Sequence, residues 1–494
     1  MPAPVARTAS FARTPGSAYI FVMDPAVVRR YVEALWQESI VPELLEYVRI
    51  PNKSPAFDRE WREHGYMEQV VARFEAWARN QPLERLKVEV MRLDQRTPLI
   101  LIDIPGDSAD CILLYGHLDK QPEMTGWRDG LGPWQPVLAG DRLYGRGAAD
   151  DGYAMFACLA AIGALEAASV PHARCIVIIE ACEESGSFDL PHHIERLGDR
   201  IGHPSLVIGL DSGCGNYDQL WCTTSLRGLA GGVLRVEVLS EGIHSGASGI
   251  VPDSFRIARR LLDRIEDDAT GSVLLPEYHV PIPSARIAEA RSAATILGAS
   301  IHEEFPFVAG ARPTTEDLAE LILNRDWRPA LSIIGADGLP ALGSAGNVLR
   351  PMTALKLSLR IPPGCDPQRA NRSMKEILEK DPPHGAKVTF SSDWGAAGWN
   401  SPELAPWLGK SLEATSRRWF GQPPVYMGLG GTIPFMSMLG EKFPDAQFLI
   451  TGVLGPHANA HGPNEFLHVP FARKLTCCIA EVIADHFRRD RPPS

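Results

Sequence analysis

No two cysteines stand at the C-x-x-C spacing of a zinc knuckle or a redox motif; the nine are scattered singly, apart from Cys477-Cys478. That usage predicts reduced thiols and a cytoplasmic setting rather than a disulfide framework. No apolar run approaches the ~20 residues of a membrane span. Positive charge is in short supply: 49 Lys and Arg against 60 Asp and Glu give a net charge of -11. The balance argues against a nucleic-acid groove or a polybasic membrane patch. The glycine-rich pieces Gly145–Gly147 and Gly428–Gly431 lack a third glycine at dinucleotide-binding spacing, and no internal repeat is visible. Residues 1–22 lack a sustained apolar core and make a poor secretory signal. They are expected to be disordered or an over-extended start, with Met23 as the natural initiator, because a helical pattern begins just after it.

What is present is an ordinary globular composition, 45% hydrophobic and 22% charged over 494 residues, enough for two or three domains. Short β-branched runs alternate with helical patterns. Strands are predicted over 86–91, 99–104, 111–115, 176–180 and 206–210, and helices over 66–80 and 153–168. This is an α/β domain with a mostly parallel sheet. Around Leu226-Arg227-Gly228 the pattern changes. Strands over 234–239, 331–334, 355–361 and 388–390, with helices from Asp253 and from Asp366-Pro367, give the order β-α-β-β-α-β of a ferredoxin-like α+β domain. The stretch 270–313 fits neither pattern and reads as an insertion. The first fold then resumes, with Ser401-Pro402 capping a helix to about Phe420, Gly430-Gly431-Thr432 opening another, a strand over 448–451 and a closing helix over 469–487. The domains so drawn are 23–225 with 395–494, interrupted by 226–394.

The run Cys175 to Ser187, CIVIIEACEESGS, focuses the chemistry. A buried strand delivers Glu183-Glu184 to its C-terminal end, where α/β sheets keep their active sites. Other polar residues gather at strand exits or late loops: His117, Asp119, Asp150, Asp211, and the pair His457 and His461. Singly, each has a bland explanation, since Asp before Gly or Ser forms turns and a lone His is usually structural. Together, bare carboxylates at the ends of one sheet would repel unless a divalent cation resolved them. A His/Asp/Glu set without thiolates suits zinc, or cobalt or manganese as substitutes. Two imidazoles and three carboxylates suffice for two metals if one carboxylate bridges.

Seven motifs occur in an order that resembles the M20 metallopeptidase family. They are GHLD (Gly116–Asp119), GRGAADD (Gly145–Asp151), EACEESGS (Glu180–Ser187), LDSG (Leu210–Gly213), HSG (His244–Gly246), GGTIP (Gly430–Pro434) and AHGPNE (Ala460–Glu465). The family contains carnosinase-like dipeptidases, glutamate carboxypeptidases, acetylornithine deacetylases and succinyl-diaminopimelate desuccinylases. The resemblance implies that His117 and Asp211 hold one Zn2+, Glu184 and His461 a second, and that Asp150 bridges them. It implies that Asp119 orients His117 and that Glu183 is the general base. It makes the small domain a lid through which a homodimer forms, His244 reaching the partner's site to polarise the scissile carbonyl. Arg360, with Asn347 and the turn Gly430, Gly431 and Thr432 as lesser candidates, would bind the substrate carboxylate. The substrate expected is a dipeptide or small peptide, with an N-acyl amino acid as the alternative and a non-catalytic metal-binding scaffold as a third reading.

Three positions depart from the family pattern: Asp151-Gly152-Tyr153 lacks a lysine, Leu429 stands where a glutamate is common, and Lys120 replaces an apolar residue. All three are expected near the substrate. His192-His193 are expected at the surface, and His461 is preferred to His457 as ligand.

Overall fold

The computed structural model describes residues 23–489. The expectation for segment 1–22 falls outside the described residues. The main sheet runs in the order Lys87–Met91, Leu99–Ile104, Arg174–Glu180, Cys111–His117, Leu206–Gly209, Gln447–Ile450. The last four strands are mutually parallel, and the first two form an antiparallel extension at one edge. Successive side chains of a strand face opposite sides, so each strand feeds two cores. Ile112, Leu114, Val177 and Ile179 join the larger cluster, beneath the helices Pro25–Leu35, Ala154–Ala167 and Val469–Arg488. Leu113, Tyr115, Ile176 and Ile178 join the other, beneath Leu190–Leu197 and Pro434–Lys442.

Ala154–Ala167 is apolar on every face and sits in the middle of the core. With the residues before it, Ala148–Ala167 is long and apolar enough to cross a membrane, contrary to the sequence expectation, but it is buried throughout. The nine cysteines are all unpaired and buried.

A second, antiparallel sheet runs Ala330–Asp337, Met352–Ile361, Gly228–Glu237, Lys387–Ala396. Helices Ser254–Leu262 and Pro367–Glu379 contribute Ile257, Leu261, Met374 and Leu378 to its core. Both are capped by aspartates, Asp253 accepting from the Arg256 amide and Asp366 from that of Gln368. The fold is thus α/β with a separate α+β sheet, as the sequence predicts. A third, short sheet places Trp221–Leu226 between Trp399–Asn400 and Val425–Leu429.

Several local expectations are corrected. The unassigned stretch 270–313 contains the helices Ser284–Leu297 and Ser300–Glu303. The first packs with Leu318–Asp326 beside Val425–Leu429, and Ala290, Ala293 and Ala294 enter the larger core. Its buried stripe has helical spacing but is built of alanine, so no bulky apolar period announces it. The helix expected from Ser401 begins at Pro406, and the one expected from Gly430 begins at Pro434. His193 is buried, its Nε2 2.8 Å from the Thr97 carbonyl, rather than exposed.

Candidate metal centre

The parallel strands bring their C-terminal ends together. His117 ends its strand directly across from Glu180, and Leu118 donates its amide to the Glu180 carbonyl at 2.9 Å. Asp119 is fully buried, and its two carboxylate oxygens accept the amides of Glu183 and Glu184, each at 3.1 Å. One carboxylate therefore fixes the turn that presents two others. Asp119 also holds His117: Nδ1 lies 3.1 Å from its carbonyl oxygen and 3.5 Å from its carboxylate. Asp211 follows the Leu206–Gly209 strand, where the Tyr153 hydroxyl donates to the Leu210 carbonyl at 2.6 Å.

Asp150 lies at the centre. One of its oxygens is 3.4 Å from His117 Nε2, and the other is 3.0 Å from His461 Nε2. His117 Nε2 is also 3.8 Å from Asp211, and His461 Nε2 3.3 Å from Glu184. Two triads result, His117–Asp150–Asp211 and Asp150–Glu184–His461, each with ligand atoms within 4.8 Å of one another. Asp150 belongs to both. His461, not His457, stands in the group.

Electrostatics mark the cluster as short of positive charge. Burial, and then the neighbouring Asp150, push Glu184 well above the usual carboxylate range. Burial also raises Glu183, with Asp211 adding to it, and lifts Asp211 to about 7. At Asp150 burial works the same way, but hydrogen bonds from His117 and His461 outweigh it and hold the carboxyl below its usual range. Buried carboxylates with elevated pKa values are what a bound cation relieves. Among the described residues, His117 Nε2 meets only the carboxylates of Asp150 and Asp211, at 3.4 and 3.8 Å, and Glu184 Oε1 is buried without a hydrogen-bond partner. The imidazole and carboxylate donors fit zinc, cobalt or manganese.

The other candidates fall into two places. Arg360 Nη1 donates to Thr432 Oγ1 at 3.0 Å, beside Gly430 and Gly431, so these four of the five proposed carboxylate binders are gathered at one turn. His244 and Asn347 lie together elsewhere. His244 is exposed on the two-residue strand Ile243–His244, and Ser245 donates its amide to the Asn347 carbonyl. Within one chain, among the described residues, His244 forms no ion pair or hydrogen bond with the metal-site group; its Nδ1 accepts the Gly246 amide.

Two of the departures from the family pattern are structural. Lys120 is fully buried and turned away from solvent, donating to the carbonyls of Tyr47 and Ile50 at 2.8 Å with its Nζ 3.7 Å from the centre of the Tyr47 ring. Burial lowers its pKa well below the usual lysine range. Asp151 accepts the His117 amide at 3.3 Å, and Tyr153 is buried under the Asp211 strand.

Sequence reasoning missed Arg146 and Glu465, which pair at 2.5 Å in full burial. Arg146 Nη2 donates to the carbonyls of His461 and Gly462 at 3.1 and 2.8 Å, and Glu465 accepts the Gly147 amide at 2.9 Å. They clamp the loop that carries His461 to the loop that carries Asp150. Gly147 has φ 85°, and a Cβ there would meet the Lys120 chain at 2.7 Å, so this approach requires glycine. The signal was available in GRG and NE, but a buried guanidinium–carboxylate pair looks like two surface charges until the loops meet. Arg146→Lys keeps the charge but cannot fork to two carbonyls. It is expected to weaken metal binding at the His461 group roughly 10–100-fold while sparing the His117–Asp211 group, as read by calorimetric metal titration; equal affinities in variant and wild type would remove Arg146 from this role.

Known proteins share this architecture. The cysteinylglycine-S-conjugate dipeptidase of Corynebacterium striatum is 27% identical over 413 residues, spanning 79% of this chain and 86% of its own. The beta-Ala-His dipeptidase of Homo sapiens is 26% identical over 455 residues, 84% of this chain and 83% of its own. Among solved structures, human carnosine dipeptidase 1 matches with a TM-score of 0.73 at 22% identity, covering 93% of this chain and 98% of that one. A di-peptidase from Saccharomyces cerevisiae matches with a TM-score of 0.73 at 20% identity, covering 94% and 98%. At those identities the structures establish the fold alone. Residues 113–485 match the sequence profile of Peptidase family M20/M25/M40, and with most of its length in that match the chain belongs to this family.

Proposed function

We propose that the protein is a dinuclear metallopeptidase that hydrolyses a dipeptide or small peptide. The observation that carries this reading is the sharing of Asp150 between two ligand triads with Glu183 alongside. His117 and Asp211 would hold one divalent cation, Glu184 and His461 the other, and Asp150 both; zinc is the first choice, cobalt or manganese a substitute. Such a pair supplies Lewis-acid polarisation of the carbonyl and an acidified water. Glu183 takes a proton from the attacking water as the C–O bond forms, and returns it to the nitrogen as the C–N bond breaks. Asp119 keeps His117 and the Glu183–Glu184 turn in register. Arg360 and Thr432 would bind the substrate carboxylate, with the Gly430-Gly431 turn as a further contact; Asn347, which lies beside His244, would join them only from a partner subunit.

The exposed place of His244 suits a residue that serves a partner subunit. The edge strand Ala330–Asp337 leaves Ile333 and Ile334 exposed, and an unpaired apolar edge supports a homodimer through the lid. The activities of the two relatives, a cysteinylglycine-S-conjugate dipeptidase and a beta-Ala-His dipeptidase, favour peptides over N-acyl amino acids. Nine buried, unpaired thiols suit the cytoplasm.

Chelation should abolish peptide hydrolysis and added zinc, cobalt or manganese restore it; undiminished turnover by the metal-free protein would end the dinuclear reading. Glu183→Gln should retain metal and fold while losing ~10²–10⁴ in kcat, whereas Glu184→Gln should lose affinity for one metal. The opposite pattern would exchange the two roles. His244→Ala should cost ~10²–10³ in kcat with metal content unchanged. Mixed with Glu183→Gln chains, it should recover roughly a quarter of wild-type activity, because half of randomly paired dimers carry one intact composite site. No recovery after verified subunit exchange would confine His244 to its own chain or remove it from catalysis.

A further inference from the structure

A cavity of about 470 Å³ opens against the segments that follow Asp211, precede Gly430 and lead to His461. That volume is within the range of small-ligand pockets. Its inner wall adjoins three of the motifs: Gly213 lies two positions past Asp211, Leu429 immediately precedes Gly430, and His457 begins the loop that carries His461. Leu429 leans over Gly213, where a Cβ would lie 3.6 Å from Leu429 Cδ2. The outer wall comes from the helices 284–297, 300–303 and 318–326, through Leu297, Ile301 and Arg325, and from Glu304, which caps the second of them. Leu297, Ile301, Met427, Leu429 and Leu454 give the cavity an apolar lining.

The charges are divided across one turn. Arg325 is neutralised by Asp326, its Nε 2.8 Å from the carboxylate. The Glu304 carboxylate faces Arg325 and His457 but forms no side-chain hydrogen bond or ion pair among the described residues. The cavity therefore carries net negative charge. On the far side of Gly430-Gly431, Arg360 donates to Thr432 and meets no carboxylate among the described residues. A negative cavity and two guanidinium groups, Arg360 and the Arg227 that donates to the Gly430 carbonyl, thus flank the same turn. The molecule complementary to that polarity has a cation on one side of its scissile bond and a carboxylate on the other.

We propose that this cavity receives the N-terminal residue of the substrate, Glu304 binding its free amine and the apolar lining its side chain. The inference rests on the peptidase reading above and narrows it: the substrates are small peptides with an unblocked, apolar first residue. The helices that carry Ile301 and Glu304 then act as the specificity wall of the site. Leu429 contributes apolar surface where the family pattern often has a glutamate, and Glu304 supplies the carboxylate from the opposite wall.

The test compares leucyl-glycine with 4-methylpentanoyl-glycine, which has the same carbon chain and scissile bond without the amine. Wild-type enzyme should prefer leucyl-glycine by on the order of tenfold or more in kcat/KM, as expected for a charge-assisted hydrogen bond. Glu304 is exposed at the end of a short helix, so Glu304→Gln should leave the fold intact. The variant should raise KM for leucyl-glycine by about tenfold with kcat nearly unchanged, leave 4-methylpentanoyl-glycine unaffected, and so erase the preference. Glu304→Asp should recover part of it. Unaltered KM for leucyl-glycine in Glu304→Gln, or an equal change for both substrates, would overturn the assignment of Glu304 and leave the peptidase reading standing. Wild-type enzyme that hydrolyses 4-methylpentanoyl-glycine but not leucyl-glycine would overturn both.

Discussion

The carboxyl groups of Asp119, Asp150, Asp151, Glu183, Glu184 and Asp211 crowd the ends of the parallel strands, and this concentration of negative charge is the constraint the rest of the site answers. Removing an ion from water costs several kcal/mol even after relaxation, so each carboxylate needs a specific partner. Backbone amides serve some of them: those of Glu183 and Glu184 for Asp119, that of His117 for Asp151. Imidazoles serve Asp150 from both sides. Glu184 accepts from Gln121 and faces His461, yet burial first and neighbouring carboxylates second keep Glu183, Glu184 and Asp211 above the usual carboxylate range. Two divalent cations are the remedy that the geometry fits.

The same constraint explains why the chain returns to its first sheet after the α+β excursion. Strands 111–117, 174–180 and 206–209 supply acids and one imidazole, but nothing in that run supplies the second imidazole. The loop with His461 does, and it needs an anchor of its own because it has no place in the main sheet. Arg146 and Glu465 provide one, joining two loops more than 300 positions apart by a buried charge pair whose remaining donors and acceptor are taken by backbone. A pair so fully satisfied fixes a conformation more than it adds stability.

Legibility in the sequence followed the physics of each element. The strands at 99–104, 111–117 and 174–180 stood out because burial on both faces demands unbroken apolar runs, and the polar residues after them were conspicuous by contrast. Ligand chemistry singled out the wider set of acids and imidazoles, and the resemblance of seven motifs to the M20 pattern sorted it into the two triads. The helix 284–297 was unreadable because a stripe of alanine carries no amphipathic signal, although alanine is the best helix former. His193 and Lys120 were misplaced for a related reason. A polar residue is assigned to the surface or to substrate by default, and only the fold reveals the carbonyls of Thr97, Tyr47 and Ile50 that allow burial.

Substrate preference was the least legible feature, and the reason lies in where its residues sit. A metal ligand must be a particular side chain at a particular strand end, so a few motifs encode it. A specificity wall only has to present surface and one charge, which any packed segment can do. Here Leu297, Ile301 and Glu304 come from a segment with no motif, held in place by alanines packed against the same core that supports Trp221 and Met427. The catalytic chemistry is thereby uncoupled from the choice of substrate. The wall could be rebuilt without touching a metal ligand, provided that the alanine stripe keeps its small volume, since a larger residue at Ala293 would push the whole wall away from Leu429.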